Sequence, residues 1–344
     1  MCTNAIEFMK SLEKIEGSIV CVTGGTGFIG GHLIDALLER GCEVRLLARK
    51  TSSFQYIDKN AVRIFYGDIN SLEPPAGWLD GAHYLFHCAG LTIAKTRADF
   101  FRCNAAACET LYRSALDVAG QTLKAVIHLS SLAAVGPAEK GQTVDENSVC
   151  NPVTYYGQSK LAGEKIALKF SDELPIIVLR PPVVYGPREK NFFEYLKQLS
   201  CGRQIHIGKG ERHLSLIHSA DLIRAMIAAA ENPLPPERVF FATDGAKYSW
   251  DEVGKTALSV LNGKARKIIL PESVMTALAV LLETVCIFRN SAPLLDRQRM
   301  IDIRQSAWTA SSEKFFHQFQ FKPRYDLREG LENTLSWCRK NQWL

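Results

Sequence analysis

The sequence predicts an α/β fold in which a doubly wound parallel sheet is followed by a smaller, mostly helical C-terminal lobe. Three observations predict it. Strand-length apolar runs alternate with helical patterns as far as Leu179, glycines at G-x-x-G-x-x-G spacing stand where the first run turns into a helical pattern, and the rhythm changes after Pro181-Pro182.

The first run spans Ser18 to Thr23 and closes in Gly24-Gly25-Thr26-Gly27-Phe28-Ile29-Gly30. Small residues at Gly24, Gly27 and Gly30 let the backbone approach a dinucleotide pyrophosphate, whose charge then sits at a helix N-terminus. Ile29, Leu33 and Leu37, with Ile34 and Leu38 beside them, give the next segment one apolar helical face. Gly41 stops that helix, and Glu43 to Leu47 reads as the second strand of a βαβ unit. Further strands are predicted at Val62 to Tyr66, Tyr84 to Cys88, Ala125 to Ser130 and Ile176 to Leu179.

Beyond Gly186 come a helical stretch from Phe192 to Leu199, a glycine-rich turn around Gly208 and Gly210, and a strand at Val239 to Ala242. From about Tyr248 the pattern is mostly helical. These features predict a dinucleotide-binding domain over 18–185, with 216–244 returning to its sheet, and a substrate-binding lobe made from 186–215 and 245–344. The most hydrophobic window, Ser273 to Leu282, is bounded by Pro271, Glu272 and Glu283. Crossing a bilayer takes about 20 apolar residues, so no integral membrane segment is expected there. The window reads as a helix packed within the lobe, with a lipid-facing helix as the other reading.

A length of 344 residues and 47% hydrophobic content permit a sizeable core. The 41 basic and 36 acidic residues are scattered, which gives no footprint for nucleic acid. Ten cysteines without a C-x-x-C pair, and charges throughout residues 1–17, predict a reduced, cytoplasmic setting without a signal peptide and without a metal site.

The chemistry-bearing residues come next. His128-Leu129-Ser130-Ser131 follows the fifth strand, and a separate helical stretch opens Tyr155-Tyr156-Gly157-Gln158-Ser159-Lys160. Four residues separate Tyr156 from Lys160, which places phenol and ammonium on one helix face. The positive charge is expected to lower the tyrosine pKa from about 10. Such a phenol exchanges a proton with a substrate oxygen while a nicotinamide exchanges hydride with the adjacent carbon. Serine at the carboxyl end of a strand emerges where open sheets bind ligands, and Ser130 and Ser131 compete to hold that oxygen. Tyr155 has Ser159 four residues on, so Tyr156 is the predicted acid/base.

Together, the glycine turn, the serine and Tyr-x-x-x-Lys resemble the extended short-chain dehydrogenase/reductase superfamily, of the epimerase/dehydratase and 3β-hydroxysteroid dehydrogenase type. Gly67-Asp68-Ile69, His87-Cys88-Ala89-Gly90 and Arg180-Pro181-Pro182-Val183-Val184-Tyr185-Gly186-Pro187 stand in that family's order. The resemblance implies a Rossmann-type fold and identifies Ser131, counted back from Gly136, as the catalytic serine beside Tyr156 and Lys160. It implies cofactor contacts from Gly24, Thr26, Gly27, Phe28, Ile29 and Gly30, from Asp68 and Ile69, and from Ala89 and Gly90. Pro181, Val183 and Val184 would pass beside the nicotinamide, as would Tyr156 and Lys160. Asn104 falls where the family has a structural or proton-relay asparagine, though Ala105-Ala106-Ala107-Cys108 departs from the usual continuation. Relatives often dimerise through helices flanking the tyrosine, so a homodimer is a further implication.

An acidic residue at the end of the second strand marks NAD sites, and this chain has Leu47-Ala48-Arg49-Lys50 there. Arg49 suits a 2′-phosphate through charge-assisted contacts and Lys50 adds positive potential, so NADP is expected ahead of NAD. Ser131-Leu132 lacks the carboxylate that dehydration needs. Sugar-nucleotide members tend to carry an arginine before an Ile-His-x-x-Asp-Leu segment; here Leu214-Ser215-Leu216 precedes Ile217-His218-Ser219-Ala220-Asp221-Leu222, with Arg212 and Arg188 as possible substitutes. The expected function is therefore an NADP(H)-dependent oxidoreductase interconverting a ketone and a secondary alcohol on a relatively apolar small molecule. The alternatives are a sugar or sugar-nucleotide epimerase and a non-catalytic NADP-sensing protein.

Overall fold

The computed structural model describes residues 14–71, 74–288, 293 and 295–344. Of the charged opening segment 1–17, residues 1–13 lie outside these. The strands β1 (Ile19–Thr23), β2 (Glu43–Ala48), β3 (Arg63–Tyr66), β4 (Tyr84–His87), β5 (Ala125–Leu129), β6 (Ile176–Arg180) and β11 (Val239–Phe241) form one parallel sheet in the order β3-β2-β1-β4-β5-β6-β11. This is a Rossmann-like, doubly wound sheet.

Period-two alternation explains why both faces are covered. Val20, Val22, Ile127 and Ile177 point to one side, where they meet Leu33, Ile34 and Leu37 of helix α1 (Phe28–Leu38) and Leu222 and Met226 of α6 (Ser219–Glu231). Cys21, Val126 and Val178 point to the other side, against Leu111, Tyr112 and Ala115 of α3 (Ala107–Ala119) and Ala167 of α4 (Tyr155–Lys169). Helix α2 (Arg97–Phe101) runs into α3 through a π-helical turn, Arg102–Ala106. The strand order reverses between β1 and β4, and a crevice opens beyond their carboxyl ends.

A second layer stands beyond those ends. Strand β7 (Val183–Tyr185) pairs with β10 (Leu216–His218) rather than with the large sheet. Helices α5 (Lys190–Ser200), α7 (Trp250–Leu261) and α11 (Leu327–Lys340) share a core of Phe192, Leu196, Val253, Leu331 and Leu335. Strands β8 (Arg203–Ile207) and β13 (Arg266–Leu270) form a parallel pair. The short β9 (His213–Leu214) lies between β12 (Tyr248–Ser249) and β14 (Ala307–Trp308).

Helix α8 (Glu272–Phe288) corrects one expectation. The apolar window is helical but not packed in the lobe, because its charged residues pair with arginines of the body and turn the apolar side outward. Next comes α9 (Arg297–Arg304), whose other side reaches the crevice, and then α10 (Glu313–Gln318). No helix among the described residues is long and apolar enough to cross a membrane.

Candidate active site

Two glycines shape the crevice floor. Gly24 has φ +71°, and a Cβ there would stand 2.5 Å from the Ala89 amide nitrogen, so the first turn and the loop after β4 touch backbone to backbone. A Cβ on Gly30 would collide with the Gly24 carbonyl, so only glycine lets α1 start this close to the turn. Helix α1 begins at Gly27 with no side-chain cap and no acidic residue in its first turn. Its first N–H groups are thus free for an anionic ligand. Thr26, Phe28 and Ile29 are half-buried along this edge. Arg49 and Lys50 are exposed just past β2, and neither is in an ion pair among the described residues. Asp68 Oδ1 accepts from the Asn70 backbone and side chain at 2.9 and 2.7 Å, which closes a local turn, and Ile69 packs at the core edge. Cradle, open helix end and unpaired cations fit a dinucleotide with phosphate groups.

The acid/base side of the crevice is assembled by the glycines of α4. A Cβ on Gly157 would strike the Ala133 carbonyl and one on Gly163 the Asn104 carbonyl. The helix therefore lies directly on the 3-10 turn Leu132–Ala134 and on the π-helical turn. Thr154 caps it, accepting from Gly157 N at 3.2 Å. Tyr156 is thereby brought beside Ser131, whose hydroxyl acts on the phenol and lowers its pKa. Ser131 Oγ also accepts from Ala133 N at 3.1 Å, and Leu132 N donates to the Pro181 carbonyl at 2.8 Å. That bond ties the serine turn to Pro181, Val183 and Val184, of which Val183 is exposed.

Neighbouring strand positions point opposite ways, and this separates the two serines. Ser130 is buried and its hydroxyl is hydrogen bonded to Glu164 Oε1, whose carboxylate also receives Arg180 Nη2 at 2.6 Å. Only Ser131 faces Tyr156.

Lys160 is buried and its ammonium donates to the Leu129 carbonyl at 2.7 Å. A Cβ on Gly90 would stand 3.7 Å from Lys160 Nζ and 3.2 Å from Asn104 Oδ1, so the exposed Gly90 keeps the groove open above both groups. The expected depression of the Tyr156 pKa is corrected here. Burial holds it above its ordinary value, opposed by the Ser131 hydroxyl and by Arg299, while Asp302 adds to the rise. Burial also lowers the pKa of Lys160, against the pull of Cys108 and Glu164. Desolvation outweighs the ammonium that helical spacing brings near.

Asn104 lies in the π-helical turn with its amide fully engaged: Oδ1 accepts from Leu91 N at 2.7 Å, and Nδ2 donates to the Leu91 carbonyl and Ser159 Oγ, each at 2.9 Å. It clamps the loop that carries Ala89 and Gly90. Behind Lys160, His87 Nδ1 bonds Thr23 Oγ1 at 2.7 Å and His128 Nδ1 bonds Tyr112 at 2.5 Å. Burial, with the Lys160 charge, pushes His87 down to about 3, so it stays a neutral core histidine.

One group of residues escaped sequence reasoning. The cleft beside Tyr156 is walled by Ile93, Ala94 and Phe100 and by Gln298, Arg299 and Asp302 of α9. Burial raises Asp302 to about 6, against the pull of Arg299, and its Oδ1 is buried without a hydrogen-bond partner. The local signal was slight: Asp296 caps Arg299 N at 2.7 Å, a helix start that says nothing of which wall it completes. The two arginines considered as phosphate clamps are both committed. Arg188 pairs with Asp35 and Arg212 with Glu272, each at 2.8 Å. Leu214, Ser215 and Leu216 are buried.

A glycine cradle at the switch point of a parallel sheet, with a hydroxyl pair and a lysine beside it, defines an NAD(P)-dependent enzyme of the extended short-chain dehydrogenase/reductase superfamily. The profile of the NAD dependent epimerase/dehydratase family matches residues 20–240, and the chain belongs to that family. It is similar to a ceramide reductase of Caulobacter vibrioides, 26% identical over 328 residues that cover 95% of this chain and 96% of that protein. It is also similar to the 4-hydroxy-2-methyl-3-oxo-4-farnesyl-3,4-dihydroquinoline-1-oxide ketoreductase of Stigmatella aurantiaca, at 30% identity over 65% of this chain and 68% of that one. Among solved structures, MoeE5 in complex with UDP-glucuronic acid and NAD superposes with a TM-score of 0.73 at 25% identity, covering 94% of this chain and 99% of that one. The oxidoreductase character of the chain follows from its family and relatives.

Proposed function

We propose that this chain is an NADP(H)-dependent reductase that interconverts a ketone and a secondary alcohol on a relatively apolar substrate. The observation that carries the reading is the neighbouring pair Ser131 and Tyr156, placed at a cleft whose near wall is Ile93, Ala94 and Phe100. A phenol with a raised pKa is protonated at neutral pH, which suits the acid of carbonyl reduction. Tyr156 gives its proton to the developing alkoxide while Ser131 holds the same oxygen. Lys160, anchored on Leu129, supplies positive potential beneath Gly90. When bound, the nicotinamide supplies the hydride.

Arg49 and Lys50 would hold the 2′-phosphate, and the glycine cradle with the open end of α1 the pyrophosphate. Residues 186–215 and 245–344 are assigned to substrate binding, with α9 as their contribution to the cleft. Commitment of Arg188 and Arg212 to Asp35 and Glu272 removes the diphosphate grip a sugar-nucleotide epimerase needs, which favours net redox chemistry. The similarity to a ceramide reductase and to a ketoreductase supports the same choice.

The test is a panel of apolar ketones with NADPH. One NADPH oxidised per alcohol formed, lost in Tyr156→Phe with cofactor affinity unchanged, is the expected result. Stereochemical inversion without cofactor consumption, or full turnover by Tyr156→Phe, would overturn the assignment.

A further inference from the structure

Helix α8 is turned inside out. Its two carboxylates and Thr276 are held by the body: Glu272 pairs with Arg212 and Arg304, Thr276 accepts from Arg304 Nη2 at 2.6 Å, and Glu283 receives Arg297 at 2.9 Å. Ala279 is the buried residue between them. The opposite side carries Val274, Leu278, Leu281 and Val285 at helical i, i+4, i+7, i+11 spacing, exposed at 56, 40, 59 and 38%. Ion pairs thus hold an apolar stripe toward solvent, whereas hydrophobic burial alone would turn it inward.

The ribbon of β8 and β13, which leads into α8 after Leu270, carries cations. Gln204 of β8 packs inward, for a Cβ on Gly254 would strike its amide, so Arg203, Ile205 and Ile207 and their register partners Arg266, Ile268 and Leu270 share the outer face. Arg203 and Arg266 stand exposed at one end of that face, with Lys264 just before them. None of the three is in an ion pair among the described residues, while both carboxylates of α8 are paired.

We propose that α8 lies in the interfacial plane of an anionic lipid bilayer, with the Val274–Leu278–Leu281–Val285 stripe among the acyl chains and Arg203, Lys264 and Arg266 on the headgroups. The stripe is about 17 Å long at 1.5 Å per residue, too short to cross a hydrocarbon core of about 30 Å, which makes the contact one-sided. An apolar helical face flanked by cations is the pattern such surfaces bind. The geometry also links the membrane to the cleft: Arg297 and Arg304 of α9 hold α8, while Gln298, Arg299 and Asp302 of the same α9 wall the space beside Tyr156. An apolar substrate entering from the bilayer would meet α9 first. The docking itself does not require the ketone reading, and its test reads binding rather than turnover.

The full chain is sedimented with vesicles of equal parts phosphatidylglycerol and phosphatidylcholine, and with phosphatidylcholine alone. Binding to the anionic vesicles, weakened by salt, is expected. Leu278→Glu with Leu281→Glu should reduce it at least about tenfold with circular dichroism unchanged, because both side chains are exposed. Arg203→Glu with Arg266→Glu, which leaves the stripe intact, should remove the preference for the anionic vesicles. The proposal is overturned if the full chain sediments with neither vesicle or if the leucine variant binds as tightly as the natural chain. It is equally overturned if the natural chain is a dimer that ignores vesicles and the leucine variant makes it monomeric, since a second copy then covers the stripe.

Discussion

The Arg180 guanidinium donates from Nη2 to Glu164 Oε2 at 2.6 Å, with both side chains buried and the Ser130 hydroxyl on the same carboxylate. Two charges leave water together here, and their worth lies in never being separated. Glu164→Ala should lower the free energy of unfolding by about 3–5 kcal/mol, because it leaves an uncompensated buried guanidinium. Urea denaturation checks this; a loss below about 1 kcal/mol would mean that water reaches Arg180.

Ser130 and Ser131 should fail in different assays. Ser131→Ala removes the hydroxyl beside Tyr156 and is expected to cut kcat by about 10²-fold at nearly unchanged stability. Ser130→Ala deprives Glu164 of a donor and should cost about 1–3 kcal/mol of stability, with turnover of the folded protein preserved. Steady-state kinetics beside thermal melts separates the two, and the reverse pattern would exchange their roles.

Arg49 is exposed at the end of β2 with no ion-pair partner among the described residues. Arg49→Asp should raise the Kd for NADPH by at least about tenfold while changing that for NADH little, since only the former carries a 2′-phosphate to repel. Fluorescence titration with both nucleotides reads the difference. Equal losses would move the phosphate contact elsewhere.

Asp302 has its carboxyl raised to about 6 from 3.8, so the folded chain holds a proton that the unfolded chain releases. The native state binds more protons between those values, so this group lowers stability as pH rises from about 4 to 6 and adds no further slope above. Asp302→Asn removes that slope. At about 1.4 kcal/mol per pH unit, the variant should gain up to about 3 kcal/mol on the natural chain between pH 4 and 7. Parallel melting curves across pH test it, and a constant offset would show that Asp302 titrates normally in the fold.

Gly30 gives the cofactor cradle a direct check. Gly30→Ala pushes a methyl group into the Gly24 carbonyl, and should weaken nucleotide binding more than tenfold by moving the start of α1. Calorimetric titration decides it; unchanged affinity would place the pyrophosphate away from this turn.

By itself, the chain order of residues determined the sheet, the glycine cradle and the shared helix face of Tyr156 and Lys160, because each is written in short-range pattern. Alternating apolar residues mark strands, helical spacing marks α1 and α4, and glycine stands wherever two backbones must touch. The family order already pointed to Ser131, and the structure adds the physical reason: Glu164 and Arg180 draw Ser130 the other way. Two matters were decided only by tertiary structure. The Tyr156 pKa rises rather than falls because burial, in a cleft walled by distant α9, outweighs the groups that lower it. Helix α8 shows its apolar side because Arg212, just before β9, and arginines of α9 hold its carboxylates. In each case the deciding group lies far along the chain, and desolvation or ion pairing across that separation leaves no periodic trace in the sequence.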